Sequence, residues 1–303
     1  MNATAAKKHV LLLGASGFIG KAAYHLLKMN TGIELSILLR KPDADIFEGN
    51  IYYGDITNFD WQKLKHPPQV VIHLARISSK KWGRPGRLLA AWKGYFANKR
   101  LLRYISGNEN FEKIIYVSGS LMYGNSSRPL DERSTLSPIS FAREYIKAEL
   151  PFIKMLQFQP AKICMLRVPW VVGRGSWLQA FFLNYIQQQQ QVPQYGNGKH
   201  LMTFIALSDL ARCIAALCSL PFNGVLHAVA EVQSTQVDFC RLLSSILSLP
   251  VVRLSLGHQE KAVQEAFTSD IPLVSSYNVL KPYIQCQTLR DILEKELFLL
   301  KHI

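Results

Sequence analysis

The sequence predicts an α/β fold: a doubly wound parallel sheet in the first half of the chain, followed by a smaller lobe. Three observations carry this prediction. Short apolar runs recur at 10–13, 35–39, 70–74, 114–117 and 163–168, and they are continuous rather than alternating, as strands buried on both faces are. The segments between them have helical spacing, and strands alternating with helices build parallel sheets covered on both sides. After Pro169 the pattern changes to longer helices with scattered short strands.

Taken in order, the first run leads directly into Gly14-Ala15-Ser16-Gly17-Phe18-Ile19-Gly20, and a helical pattern follows over 18–27. The spacing is GxxGxxG. Gly14 permits the tight turn, Gly17 lets a pyrophosphate approach the backbone, and Gly20 lets helix and strand pack closely. The helix N-terminus then points its N–H donors at the phosphates. This strand–turn–helix context predicts a Rossmann-type dinucleotide-binding domain over 1–168. A smaller substrate-binding lobe is expected over 169–303, with the chain returning to the first domain near 201–220. The second run ends Leu38-Leu39-Arg40-Lys41. A carboxylate there would bind the adenosine ribose hydroxyls, whereas arginine suits a 2′-phosphate. Arg40, with no acid near that place, favours NADP, with NAD as the second choice. The glutamine run at 187–191 reads as a polar helix end. There is no internal repeat, and no linker long enough to separate independent domains.

Composition bounds the class. Of 303 residues, 49% are hydrophobic and 18% charged, too apolar for a disordered chain and long enough for a sizeable core. Lys+Arg number 35 against 21 Asp+Glu, a net charge of +14, which favours anionic partners. The excess is concentrated: 61–108 holds no Asp or Glu and eleven Lys or Arg, among them Arg76, Lys80, Lys81, Arg84, Arg87, Lys93 and Lys99. This stretch is either the solvated face of a loop and helix or a docking surface for an acidic protein. Trp82, Trp92, Tyr95, Phe96 and Tyr104 interleave with it; stacking on nucleic-acid bases is disfavoured against helix–sheet packing because no reader motif accompanies them. The cysteines, Cys164, Cys213, Cys218, Cys240 and Cys286, are odd in number, lack a CxxC pair and sit mostly in apolar runs. Reduced, buried thiols and a cytoplasmic location are expected. Lys7-Lys8 precede an apolar run too short for a signal peptide, and no segment reads as a membrane span. His73 reads as a core or strand-end histidine, and no metal is expected.

Several further segments resemble the extended short-chain dehydrogenase/reductases, the NAD(P)-dependent epimerase/dehydratase group. Gly54-Asp55-Ile56-Thr57 resembles that family's adenine-side GD(L/I)T. His73-Leu74-Ala75-Arg76 resembles its HLAA strand end. Residues 116–124, Tyr-Val-Ser-Gly-Ser-Leu-Met-Tyr-Gly, resemble (Y/V)xSSxxVYG. Residues 166–173 resemble the strand entering the substrate lobe, and 204–211 the F(V/I)xVxDxA element. The resemblance spans about 10–230. It implies that Gly14, Ser16, Gly17, Phe18, Ile19, Gly20, Arg40, Asp55, Ile56, Leu74, Ala75, Arg76 and Tyr145 surround the cofactor, and that a homodimer forms through helices of the nucleotide lobe.

The same resemblance exposes a gap. Family enzymes share a Ser/Thr hydroxyl and a YxxxK pair on one helix. The Tyr is the general acid/base, and the Lys lowers its pKa and holds the nicotinamide ribose. Here the helix reads Ser140-Phe141-Ala142-Arg143-Glu144-Tyr145-Ile146-Lys147-Ala148-Glu149 against YARSKxxAE. Phe141 occupies the Tyr position and Tyr145 the Lys position, and no register restores the pair. Gly119 stands at the hydroxyl position, flanked by Ser118 and Ser120, and a family Asn aligns near Gly94. An Arg that nucleotide-sugar enzymes often carry falls at Met202; Lys199, His200 and Arg174 read either as ordinary surface residues or as substitutes for its charge. The candidate catalytic groups are therefore Ser118, Ser120, Tyr123 and Tyr145, with Arg143 beside them.

Two readings stay open at this stage. One is an NADP-binding protein without classical hydride transfer, acting as a sensor, structural subunit or regulator. The other is an enzyme using the same cleft for a non-redox elimination, cyclisation or isomerisation on a small anionic or carrier-bound substrate. Acyl carrier protein is one acidic partner that the basic stretch would suit.

Overall fold

The structure, a computed structural model, describes residues 7–42, 46–77, 79, 83–143 and 145–301. The chain divides into two compact units: 1–118, 144–166 and 214–225 form the first, and 119–143, 167–213 and 226–303 the second.

The first unit begins with β1 (Lys8–Leu13), where Val10–Leu13 are essentially inaccessible to solvent. Next come α1 (Phe18–Met29), β2 (Ile33–Leu39), β3 (Asn50–Tyr53), β4 (Val70–His73), α2 (Gly83–Ser106) and β5 (Lys113–Gly119). β1 lies in parallel between β2 and β4, with Val10 opposite both Leu35 and Val70; β2–β3 and β4–β5 are parallel too. Adding β6 (Ile163–Val168) and β10 (Gly224–His227), the described strands form a seven-stranded sheet in the order β10-β6-β5-β4-β1-β2-β3. The apolar runs read from the sequence are β1, β2, β4, β5 and β6. The strand order reverses at β1, so the crevice beyond the carboxyl ends of β1 and β4 is where this architecture binds ligands.

The core beneath that crevice joins Leu11, Leu13, Val71 and Ile114 of the sheet to Ala97, Leu101 and Ile105 of α2 and to Phe152. Each of the Val, Leu, Ile and Phe side chains, fully buried, is worth about 1.5–3 kcal/mol. Phe152 belongs to α4 (Ile146–Phe158), which packs on α2. The two helices approach closely at Gly94, where an added Cβ would stand 2.8 Å from the Cβ of Ala148. Asn98 bridges the layers: its amide donates to the Ala148 carbonyl at 2.7 Å, and its oxygen meets Nε2 of the buried His73 at 2.9 Å. His73 is thus a core histidine, with burial holding its pKa down at about 4.

The helix expected across 140–149 is not continuous. α3 (Ser140–Arg143) stops, Tyr145 takes φ −108° and ψ −14°, and α4 starts at Ile146. Pro151, inside α4, has no N–H for the Lys147 carbonyl, so the first turn of α4 is short of a hydrogen bond. Glu144 lies outside the described residues.

In the second unit, β7 (Trp170–Val172), β9 (Leu201–Ala206) and β11 (Val232–Thr235) form one small sheet. β8 (Val192–Tyr195) and β12 (Val251–Leu254) form another. α5 (Asn184–Gln189), α6 (Leu207–Leu217) and α7 (Gln236–Leu247) are interspersed among these strands, and α8 (Lys261–Ala266) and α9 (Leu289–Lys301) follow them. The glutamine run does end a helix: Gln190 caps α5 in the left-handed region at φ 54°. The core of this unit is aromatic, with Phe204 stacked on Phe239 and Phe182 edge-on to it.

Asp209, on α6, is wholly buried. It accepts from the N–H groups of Gln285 (3.1 Å) and Cys286 (2.9 Å), pairs with Arg212, and lies 3.6 Å from Nζ of Lys295. Asp209→Ala is expected to lower the unfolding free energy by about 3–5 kcal/mol, because those donors keep their burial and lose their acceptor. The urea unfolding midpoint is the measurement, and an unshifted midpoint would show that water replaces the carboxylate.

All five cysteines are free and buried, and burial pushes the Cys164, Cys213, Cys218 and Cys240 thiols up to about 12. No helix among the described residues is long and apolar enough to cross a membrane.

Candidate functional site

At the carboxyl end of β1 the chain turns sharply. Gly14 has φ +87°, and an added Cβ there would meet the Ala75 nitrogen at 2.6 Å and the Leu74 carbonyl carbon at 2.8 Å. Only glycine allows the ends of β1 and β4 to come this close. Gly17 is the N-cap of α1 and offers no side-chain acceptor to the first N–H groups of the helix, and its first turn carries no acid. Those donors are therefore available to an anion.

Around this turn lies a cavity of about 600 Å³ walled by Gly14, Ser16, Gly17, Arg40, Asp55, Ile56, Leu74, Ala75 and Arg76. The structure thus brings together nine of the residues that the sequence places around a cofactor. Phe18, Ile19 and Gly20 form the first turn of α1 rather than the cavity wall. Gly86, Leu89, Ala90 and Lys93 add to the wall from one face of α2. Their recurrence every three or four residues is the helical signal by which such a face is legible in the sequence.

The charges on the described wall are uneven. Arg40, Arg76 and Lys93 are cationic, and Asp55 is the acid among them. One oxygen of Asp55 accepts from both the backbone N–H (2.9 Å) and the hydroxyl (2.7 Å) of Thr57, which fixes the turn after β3. Tyr145 lies outside the wall but touches it indirectly: the guanidinium carbon of Arg76 sits 3.6 Å from the centre of the Tyr145 ring.

The remaining candidates have other partners. Ser118, at the end of β5, donates to Oε2 of the buried Glu149 at 2.6 Å. Ser120, Tyr123 and Phe141 belong to the second unit. Tyr123 is buried, its pKa pushed up to about 12 by that burial, and its hydroxyl meets Nε2 of His227 at 2.6 Å. Nδ1 of His227 faces the Val274 carbonyl at 2.6 Å and must donate to it, so Nε2 of the neutral ring accepts from Tyr123. Arg143 is held by the Pro138 carbonyl at 2.9 Å and lies 3.8 Å from Glu265.

Three expectations need correction. The sequence reads His200 as a substitute cation or an ordinary surface residue. It is buried against the edge of Phe267, neither ring nitrogen has a hydrogen-bond partner among the described residues, and burial lowers its pKa to about 4. It is uncharged at neutral pH. Trp92 and Phe96 do not pack between helix and sheet: they are 43% and 59% exposed and stack on each other, with Lys147 over the Trp92 ring. Arg100 is not part of a solvated face, since it donates to the Thr57 and Phe59 carbonyls. Lys199 and Arg174 are exposed. Lys80, Lys81 and Trp82 lie outside the described residues, as does the side chain of Arg84.

A family model, the NAD dependent epimerase/dehydratase family, matches residues 10–229. The chain belongs to that family. Among curated proteins it is similar to a dTDP-4-dehydro-6-deoxyglucose reductase of Escherichia coli, 26% identical over 239 residues, 73% of this chain and 75% of that protein. Among solved structures, TunA, an NAD-dependent NDP-hexosamine 5,6-dehydratase, superposes with a TM-score of 0.79 at 19% identity, covering 97% of this chain and 98% of that one. A dTDP-glucose 4,6-dehydratase from Bacillus anthracis, in complex with NAD, gives 0.76 at 14% identity with 97% of both chains covered. A UDP-N-acetylglucosamine 4-epimerase from Methanobrevibacter ruminantium gives 0.75 at 20% identity, covering 98% of this chain and all of that one. These likenesses establish the fold.

Proposed function

We propose that this family member holds NADP and does not carry out classical hydride transfer, acting as a dinucleotide-dependent sensor, structural subunit or regulator. The observation that carries the proposal is the cavity at the β1–β4 crevice. A glycine turn that a Cβ would obstruct, the side-chain-free N-terminus of α1 and three cations are what a dinucleotide diphosphate needs. When bound, the nicotinamide supplies a two-electron hydride acceptor or donor.

This chain's residues account for holding the cofactor but not for moving a proton beside it. Phe141 has no titratable proton, and position 145 carries a phenol where the family carries an ammonium. The Ser118 hydroxyl is committed to Glu149. In this reading the first unit, with 144–166 and 214–225, takes the dinucleotide and the second, which includes 119–143, takes the substrate. The buried Met202 leaves that lobe without a cation at the position where nucleotide-sugar enzymes often carry one.

NADP is favoured over NAD because Arg40, at the end of β2, supplies a planar fork of donors suited to a 2′-phosphate. Titration with NADP, NADPH, NAD and NADH, followed calorimetrically, is the test. NADP(H) is expected to bind at least about tenfold tighter than NAD(H), and Arg40→Asp to reverse that order. Failure of all four to bind would remove the cofactor reading. Steady turnover of a nucleotide sugar by the native chain would remove the second half of the proposal.

A further inference from the structure

We propose that Arg76, braced on the ring of Tyr145, is the cation that holds the nicotinamide-side ribose of the dinucleotide, standing in for the lysine absent from position 145. This rests on the dinucleotide reading above and names the residue that grips the other half of the cofactor.

Topology places Arg76. β2 and β4 lie on opposite sides of β1. Arg40 follows the end of β2 and Arg76 follows the end of β4, so the two cations flank the glycine turn at the end of β1. A ligand with its pyrophosphate on that turn and its adenosine end at Arg40 must carry its other half past Arg76.

The contact with Tyr145 readies the side chain. An arginine at an exposed position has about 2 kcal/mol of rotamer entropy to lose when it is fixed. Stacking at 3.6 Å removes part of that freedom before any ligand arrives. The N–H donors of a guanidinium lie in its own plane, and a pair of them matches the vicinal hydroxyl oxygens of a ribose.

The contact also links two departures that look unrelated along the chain. Where the family pattern reads HLAA, this strand end reads His73-Leu74-Ala75-Arg76, and where it reads Lys, this helix start reads Tyr145. One position gains a cation and the other loses one, and the two side chains lie against each other. The charge has moved from the helix to the strand end, while the acid/base phenol at position 141 has not been replaced. That combination retains binding without restoring proton transfer. Lys93, on the α2 side of the same cavity, is the competing cation.

NADPH binding, read by fluorescence and calorimetry on the full chain, tests the assignment, with the melting temperature of each variant as the folding control. Arg76→Ala is expected to weaken binding by about tenfold or more, the scale of a lost charge-assisted hydrogen-bond pair. Tyr145→Phe keeps the stack and is expected to bind within about twofold of the native chain, whereas Tyr145→Ala falls between native and Arg76→Ala. The double variant Arg76→Ala with Tyr145→Lys returns the cation to the helix and should recover most of the lost affinity. Native-like binding by Arg76→Ala, or a loss seen only in Lys93→Ala, overturns the assignment while leaving the dinucleotide reading intact. No NADPH binding by the native chain overturns both.

Discussion

Gly20→Ala is expected to lower stability by about 3 kcal/mol or more and to abolish dinucleotide binding, because the added methyl has nowhere to go. A Cβ built on Gly20 stands 2.0 Å from the Gly14 carbonyl oxygen and 2.8 Å from both Cα and the oxygen of Ala15. All three neighbours are backbone, so no side-chain rotation relieves the overlap. α1 must lift off the end of β1, which opens the turn that presents N–H donors to the pyrophosphate. Gly17 provides the contrast: its added Cβ meets only the Gly14 oxygen, at 3.3 Å. Gly17→Ala should therefore cost about 1 kcal/mol or less in stability while still placing a methyl on the cavity wall. Urea unfolding and NADPH titration of the two variants separate the roles. Equal destabilisation by both would show that the turn, and not the helix–strand approach, sets the limit.

The sequence made the sheet legible because its central strands are buried on both faces: residues 10–13 of β1, 70–72 of β4 and 114–117 of β5 are apolar for the same reason, and a continuous run reports it. β3 and β10 were missed for the converse reason. They lie at the two edges of the sheet, and β3 is only half-buried and begins with Asn50, so neither forms an apolar run. The glycine turn was legible because it is local. The cation–ring contact of Arg76 and Tyr145 was not, since it joins a strand end to a helix start far away in sequence. His200 was misread because Lys199-His200 looks polar in sequence, while the Phe267 ring that shields it arrives from another element. The basic stretch divides in the same way. Arg100 is spent inside the fold on backbone carbonyls, and Arg76 and Lys93 face the cavity, so the charge available to an external acidic partner is smaller than the sequence total implies.

The second large effect expected is acid destabilisation through two histidines rather than through carboxylates alone. Burial holds His73 and His200 at pKa values of about 4, against 6.5 for an unconstrained histidine. Both are lowered in the fold, so between pH 6.5 and 4 the unfolded chain binds more protons than the native one. Stability therefore falls as pH drops through this window and levels off, for these groups, below pH 4. The linkage amounts to about 2 kcal/mol per histidine by pH 5 and about 3 kcal/mol by pH 4. His73 is surrounded by Asn98, Tyr116 and Phe152, none of which carries a charge to compensate an imidazolium. His200 has Asp270 nearby, which opposes the downward shift without overcoming burial. Paired carboxylates such as Asp131 and Asp291, whose pKa values are lowered by hydrogen bonds, lose their contribution at more acid pH. The two contributions separate on the pH axis. Urea unfolding of the native chain at pH 7 and pH 5 should show a difference of about 4 kcal/mol, and His200→Leu should reduce that difference by about half. The leucine leaves no nitrogen to protonate in a site that offers the ring no hydrogen-bond partner, so stability at pH 7 should hold or rise. An unchanged pH 7 to pH 5 difference in His200→Leu would mean that water reaches the ring in the native state, and the burial argument for this residue would fail.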